Sequence, residues 1–177
     1  MRALFCLLIL GVFPTLAHAR TINVCALLAR NPSWHDHLQN AYDQWRVTPG
    51  TLLAVLDQES RFNAYARGAN AGGVNPSRNF GYAQANLRTW NWFLRDTGKT
   101  SGLRTDFATS LDFVGWHFST MERRINTPRT NVTAHYLAYK MGEGGYRRGA
   151  SAPVRARASR LAAHARLLDQ QLPNCRL

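Results

Sequence analysis

The sequence predicts an all-α fold, and three features carry that reading. Apolar residues recur at three- and four-residue steps along most of the chain, no segment sustains the alternation of a half-buried strand, and capping and helix-breaking residues bound the periodic stretches. The 177 residues suffice for one domain with a real core, and a second domain is not expected.

Taken in order, residues 1–19 (MRALFCLLILGVFPTLAHA) place Arg2 before an apolar run from Ala3 to Phe13, then Pro14 and the triplet Ala17-His18-Ala19. This is the pattern of a secretory signal peptide, and the run is too short to span a bilayer. The expected mature domain is 20–177, exported, periplasmic and without stable membrane insertion. Cys6 belongs to the discarded segment. Cys25 and Cys175 then remain near opposite ends, and an oxidising compartment predicts a disulfide between them, with two free buried thiols as the alternative.

Trp34, Leu38, Tyr42 and Trp45 form a helical stripe with Ser33 placed to cap it. Thr48-Pro49 opens the next helix, since proline is tolerated where its missing N–H is not needed. Leu52, Leu53, Val55 and Leu56 fill that helix, which ends near Ser60. From Asn63 to Asn86, glycines, asparagines and Pro76 predict loop. Leu87 to Thr97 reads as a short aromatic helix ended by Gly98. Phe107, Leu111, Val114, Phe118, Met121 and Ile125 hold helical spacing in a long helix capped by Thr105 or Asp106. Asn131 to Met141 is another, stopped by Gly142 and Gly144-Gly145. The last runs from Pro153 to Leu168, with Val154, Leu161, Ala165 and Leu168 inward and Arg155, Arg157, Arg160 and Arg166 mostly outward.

Without Arg2, 21 basic residues face 10 acidic ones, a net charge of +11. The partner is therefore expected to be anionic, and outside the cytoplasm a cell wall or a membrane surface meets that as well as a nucleic acid. No metal set is recognisable, because His35 and His37 lie two apart on a helix and face apart. Phosphate-loop, HExxH and GxSxG motifs are missing, and no cofactor is expected.

Glu59 is the residue that asks for a function. Helical residues two apart diverge by about 200°, so Asp57 and Glu59 cannot work as a pair. Glu59 instead shares a face with Leu52, Val55 and Leu56. A carboxyl group beside buried leucines at the negative end of a helix dipole is disfavoured as an anion, and a carboxyl that keeps its proton suits a general acid. Of the other two glutamates, Glu122 lies next to Arg123 and Arg124 and reads as a solvated charge, while Glu143 in the Gly-rich turn MGEGGY is the rival acid.

Glu59-Ser60 with Phe62 and Ala66 resembles the "ES.F...A" signature of lytic transglycosylases with the goose-type lysozyme-like fold. Gly81-Tyr82-Ala83-Gln84 is similar to that family's "GLMQ" block, and Ala138-Tyr139-Lys140-Met141-Gly142 to its "AYN.G" block, in the family's order from Thr48 to Tyr146. Tyr82-Ala83 replaces Leu-Met, and Lys140 replaces Asn. The resemblance implies a lysozyme-like domain with a substrate cleft that cleaves the bond between N-acetylmuramic acid and N-acetylglucosamine in peptidoglycan. It implies that Glu59 protonates the leaving oxygen and then draws the muramic 6-hydroxyl onto the anomeric carbon, leaving a 1,6-anhydro ring. That internal nucleophile removes the need for the second carboxylate most glycoside hydrolases use. By the same matching Gln84 would bind a sugar or its acetamido group, Tyr139 would orient Glu59, Ser60 would bind near the leaving sugar, and Tyr82 and Tyr146 would wall the cleft. Trp90 and Trp92 suit stacking on sugars or plain packing.

The nearest alternative is a muramidase in which Asp96, Asp106 or Asp112 positions a water. An inactive, basic wall-binding or scaffold protein is a second alternative. A nucleic-acid or membrane-surface binder using the arginines of the last helix is a third. By its size, a lone catalytic domain resembles the specialised transglycosylases that open the wall locally, so an envelope-spanning secretion, pilus or flagellar assembly is the expected partner.

Overall fold

A computed structural model describes residues 22–68 and 78–175; the signal-peptide reading of residues 1–19 lies outside them. Among the described residues there are seven α-helices: α1 Val24–Arg30, α2 Ser33–Trp45, α3 Pro49–Ser60, α4 Leu87–Asp96, α5 Phe107–Ile125, α6 Val132–Arg148 and α7 Ala152–Gln171, followed by a single 3-10 turn, Leu172–Asn174. No strand forms among the described residues, as the periodicity predicts. Two isolated antiparallel bridges, Arg67 with Phe80 and Phe80 with Ala85, pin the loop between α3 and α4.

The organising element is α3. Thr48 caps it by accepting from the Thr51 N–H, and Pro49 occupies its first turn, as expected. Leu52, Leu53, Ala54, Val55 and Leu56 are all 0% exposed. A helix apolar on every side is one its neighbours enclose, and α2, α5 and α7 all pack on it. The approach of α7 is close at Gly50, where an added Cβ would lie 2.4 Å from the Ala165 carbonyl oxygen and 2.5 Å from Asp169 Oδ1. Asp169 accepts from the Gly50 N–H and from the Thr48 hydroxyl, each at 2.7 Å, so a negative charge sits at the positive end of the α3 dipole. These contacts set the position of the helix that carries Glu59.

Around it, α5 buries all six predicted apolar positions and takes Asp106 as its cap. Cys25 in α1 and Cys175 after the 3-10 turn form the predicted disulfide across 150 residues. Other local details depart from expectation. The helix α1 was not anticipated, because seven residues give too short a period to read. Ser33 lies inside α2, with Pro32 at the cap position and no side-chain cap bond. Helix α6 does not stop at Gly142: that residue, at φ 67° and ψ 170°, breaks the helix, which resumes to Arg148. Glycine tolerates this positive φ without a Cβ penalty, so it acts as a kink here. Helix α7 runs from Ala152 to Gln171 and buries Ala158, Leu161, Ala162, Ala165 and Leu168, leaving Val154 half-buried and the four arginines exposed.

Candidate active site

Glu59 occupies the last turn of α3, and the chain leaves the helix sharply. Arg61 and Phe62 both adopt left-handed backbone, at φ 55° and 59°, a conformation that costs energy in residues with a Cβ. The reversal sends the following loop over the end of α3. The Gly81 N–H donates to Ala66 O, and the Gly68 N–H to Asn79 O. Gly81 itself, at φ 80°, brings its backbone so near Arg104 that a Cβ would fall 2.0 Å from that carbonyl oxygen.

The Glu59 side chain is 5% exposed, and both its oxygens accept hydrogen bonds from α6. The Tyr136 hydroxyl donates to Oε1 at 2.7 Å and the Lys140 ammonium to Oε2 at 2.9 Å. Tyr136 and Lys140 are four residues apart, so one helix face delivers both. Burial, and then the nearby Glu59 carboxylate, push the Tyr136 phenol well above its ordinary range, which keeps it a proton donor.

A pocket of about 330 Å³ opens beside this group, bounded by the end of α3, residues 79–86, the start of α4, and parts of α5 and α6. Glu59, Gln84, His117, Tyr139 and Lys140 all line it. Gln84, at φ 47°, spends its amide nitrogen on Ala66 O and Gly81 O at 2.8 and 2.9 Å. What it presents to a ligand is therefore its carbonyl oxygen. Tyr139 lines the pocket, but its hydroxyl donates to Ala83 O; the role of holding Glu59, expected of Tyr139, falls to Tyr136. The two rings stack nearly parallel, 6.3 Å apart.

The other expected binding residues are not among those lining this pocket. Ser60 is buried, with its hydroxyl donating to Leu56 O at 3.0 Å. Tyr82 packs edge-on to Trp34 and Phe107, and Tyr146 packs beside Met121, Ile125, Ala134 and Ala138. Trp90 is a core residue whose indole N–H donates to Gly102 O. Trp92 lies edge-on to Trp116 and carries the Arg124 guanidinium 4.9 Å from its ring centre.

The remaining carboxylates are engaged elsewhere. Asp96 accepts from the Trp116 indole at 2.7 Å, Asp112 from the Trp45 indole at 3.2 Å, and Asp106 caps α5. Glu122, expected to be solvated, is instead clasped by Arg129, which holds it below the usual carboxylate range. Glu143, the rival acid, is half-buried and pairs with Arg124 and Arg147, which lower it likewise. A group so stabilised as an anion is a poor proton donor.

Three residues at this site were not singled out from the sequence for the places they take: Tyr136, Lys140 as a partner of Glu59, and His117. The four-residue spacing of Tyr136 and Lys140 was the available signal.

Among the described residues, Glu59 is the one carboxyl group lining this polar pocket, and an enclosed carboxyl facing a pocket suits general acid chemistry. The family profile described as "Transglycosylase SLT domain" matches residues 1–175, so the chain belongs to that family, whose substrate is peptidoglycan. No curated protein and no solved structure matches significantly.

Proposed function

We propose that the protein is a lytic transglycosylase that cleaves the N-acetylmuramic acid–N-acetylglucosamine bond, with Glu59 as general acid and then general base and a 1,6-anhydromuramic end as product. The observation that carries this reading is that Glu59 is the one carboxylate among the described residues lining the pocket; in the sequence, residues 69–77 include no acidic residue. Hydrolysis with a positioned water uses a second carboxylate, whereas attack by the substrate's own 6-hydroxyl needs one group acting twice.

Each half of that cycle makes a demand on the side chains around Glu59. In the base half, the Tyr136 hydroxyl and the Lys140 ammonium stabilise the negative carboxylate. In the acid half, a proton on Oε2 requires Lys140 to release that oxygen; its side chain is 32% exposed and free to turn outward. The substitution of Lys for the family's Asn thus acts directly on the catalytic carboxyl. Export is part of the same proposal, and the disulfide supports it, since such bonds persist in oxidising compartments. An envelope-spanning assembly as partner is argued from the size of the domain; its intact function after deletion of the gene would remove that partner.

The test is mass spectrometry of soluble products after incubating isolated peptidoglycan with the mature protein and with Glu59→Gln. Anhydromuramic ends from the wild type alone are expected. Reducing ends would make the protein a muramidase, and no products from a folded, disulfide-bonded chain would make it a wall-binding protein.

A further inference from the structure

A second pocket, of about 540 Å³, adjoins the one that holds Glu59, and Asn86 and Thr89 line both. That shared wall is fixed, because the Asn86 side chain caps α4 by accepting from the Thr89 N–H and hydroxyl at 2.9 and 3.1 Å. The rest of the lining is Arg88, Trp92, Arg95 and Arg124, with no acid among the described residues. Arg88, Trp92 and Arg95 are spaced by four and then three residues, so one face of α4 presents them together. Trp90 and Phe93, on the opposite face, are buried in the core.

The arginines differ in what holds them. Arg124 lies over the Trp92 ring, 4.9 Å from its centre, and pairs with Glu143 at 3.1 Å, so its place on this wall is set by two contacts. The guanidinium groups of Arg88 and Arg95 have no hydrogen-bond or ion-pair partner among the described residues. Like charges gathered on one wall repel, and an anion bound between them relieves that repulsion.

The substrate class narrows the anion. The N-acetylated sugars of peptidoglycan carry no charge of their own, and the lactyl carboxyl of each muramic residue is consumed in the amide bond to a short peptide. The free carboxylates of such a strand therefore belong to its peptides. The lactyl group is two ring carbons from the anomeric carbon, so when that carbon faces Glu59 the peptide has to leave along the pocket wall. Arg88 and Arg95 are separated by about 10 Å along the α4 axis, the reach of about three extended residues.

We propose that this second pocket binds the acidic peptide of the muramic residue, with Arg88 and Arg95 pairing its carboxylates and Trp92 packing against its apolar part. The proposal rests on the glycan-cleaving reading of the Glu59 pocket and adds that the protein selects strands whose peptides carry free carboxylates.

The experiment is isothermal titration calorimetry on the mature Glu59→Gln protein, which does not consume the ligand, at low ionic strength, where exposed ion pairs are least screened. The probes are a peptidoglycan tetrasaccharide bearing its tetrapeptides with free carboxylates, and the same compound with those carboxylates converted to carboxamides. The free acid should bind about tenfold tighter, and Arg88→Gln/Arg95→Gln in the same background should erase that difference while keeping the carboxamide within about twofold. Arg160→Gln/Arg166→Gln, which removes the same charge from exposed positions of α7, should leave the preference intact. Equal affinity for the two probes overturns the proposal, as does binding of neither. An equal loss in both double variants also overturns it, since the preference would then belong to the net charge alone. The reaction and the peptide site fail separately. Wild-type protein that releases no product, while its Glu59→Gln variant still prefers the free acid, removes the reaction and keeps the site. Anhydromuramic ends from a protein indifferent to the carboxylates remove the site and keep the reaction.

Discussion

Two tyrosines three residues apart make a sharp test of the site. Tyr136 is 1% exposed, and its hydroxyl lies 2.7 Å from Glu59 Oε1; Tyr139 spends its hydroxyl on Ala83 O. Tyr136→Phe deletes one oxygen and keeps the ring, so packing against Tyr139 is preserved and the lost quantity is one hydrogen bond to a charged group. Such a bond contributes about 1.5–3 kcal/mol, and at 1.36 kcal/mol per decade this corresponds to a fall in kcat of roughly 10- to 150-fold. Tyr139→Phe removes a neutral bond worth about 0.5–1.5 kcal/mol of stability, with kcat within a few-fold of wild type. The assay is the initial rate of soluble product release from peptidoglycan, beside thermal melts of both variants. If Tyr136→Phe retains kcat within twofold, or Tyr139→Phe is the variant that collapses, the reasoning is refuted.

Other consequences reach beyond the carboxyl group. Replacing Cys25 and Cys175 by serine opens a loop spanning 150 residues, which the chain-entropy relation puts at about 5 kcal/mol, a drop in Tm on the order of 10–20 °C by calorimetry; an unchanged Tm would show that the native chain gains nothing from the bond. Burial holds His117 at about 3, and His135 is lowered as well. A base whose folded pKa is depressed contributes full stability above its unfolded value near 6.5 and loses it as pH falls toward 3, by up to about 1.4 kcal/mol per pH unit per group. Urea midpoints should therefore fall between pH 7 and pH 4, less steeply in His117→Phe. Gly50→Ala should destabilise by about 1–3 kcal/mol, since its Cβ meets α7 at 2.4 Å, read from the shift in urea midpoint. Glu143→Gln should keep wild-type activity and Tm, because Glu143 pairs only with Arg124 and Arg147, whose side chains are exposed; loss of product with this variant would reinstate it as the acid.

Much of the scaffold was legible because it is local. Thr48-Pro49, Asp106 and the six apolar positions of α5 act within one or two turns, so a capping bond or a buried stripe can be read from neighbours in the chain. Glu59 was legible for the same reason: its face follows from its spacing to Leu52 and Leu56. Its surroundings were not. Whether Tyr136 or Tyr139 meets the carboxylate depends on how α6 is rotated against the end of α3, and both tyrosines satisfy helical spacing equally well. Gln84 was recognised, but its left-handed backbone and its bonds to Ala66 and Gly81 turn the nitrogen inward, a reversal that local pattern does not encode. Ser60 and Tyr82 do not line this pocket: the first bonds a carbonyl one turn back and the second packs in an aromatic cluster. Periodicity assigns a residue to a face of its own helix. The angle at which two helices meet is set by the packing of the whole core, and that angle selects the side chain that touches the reacting group.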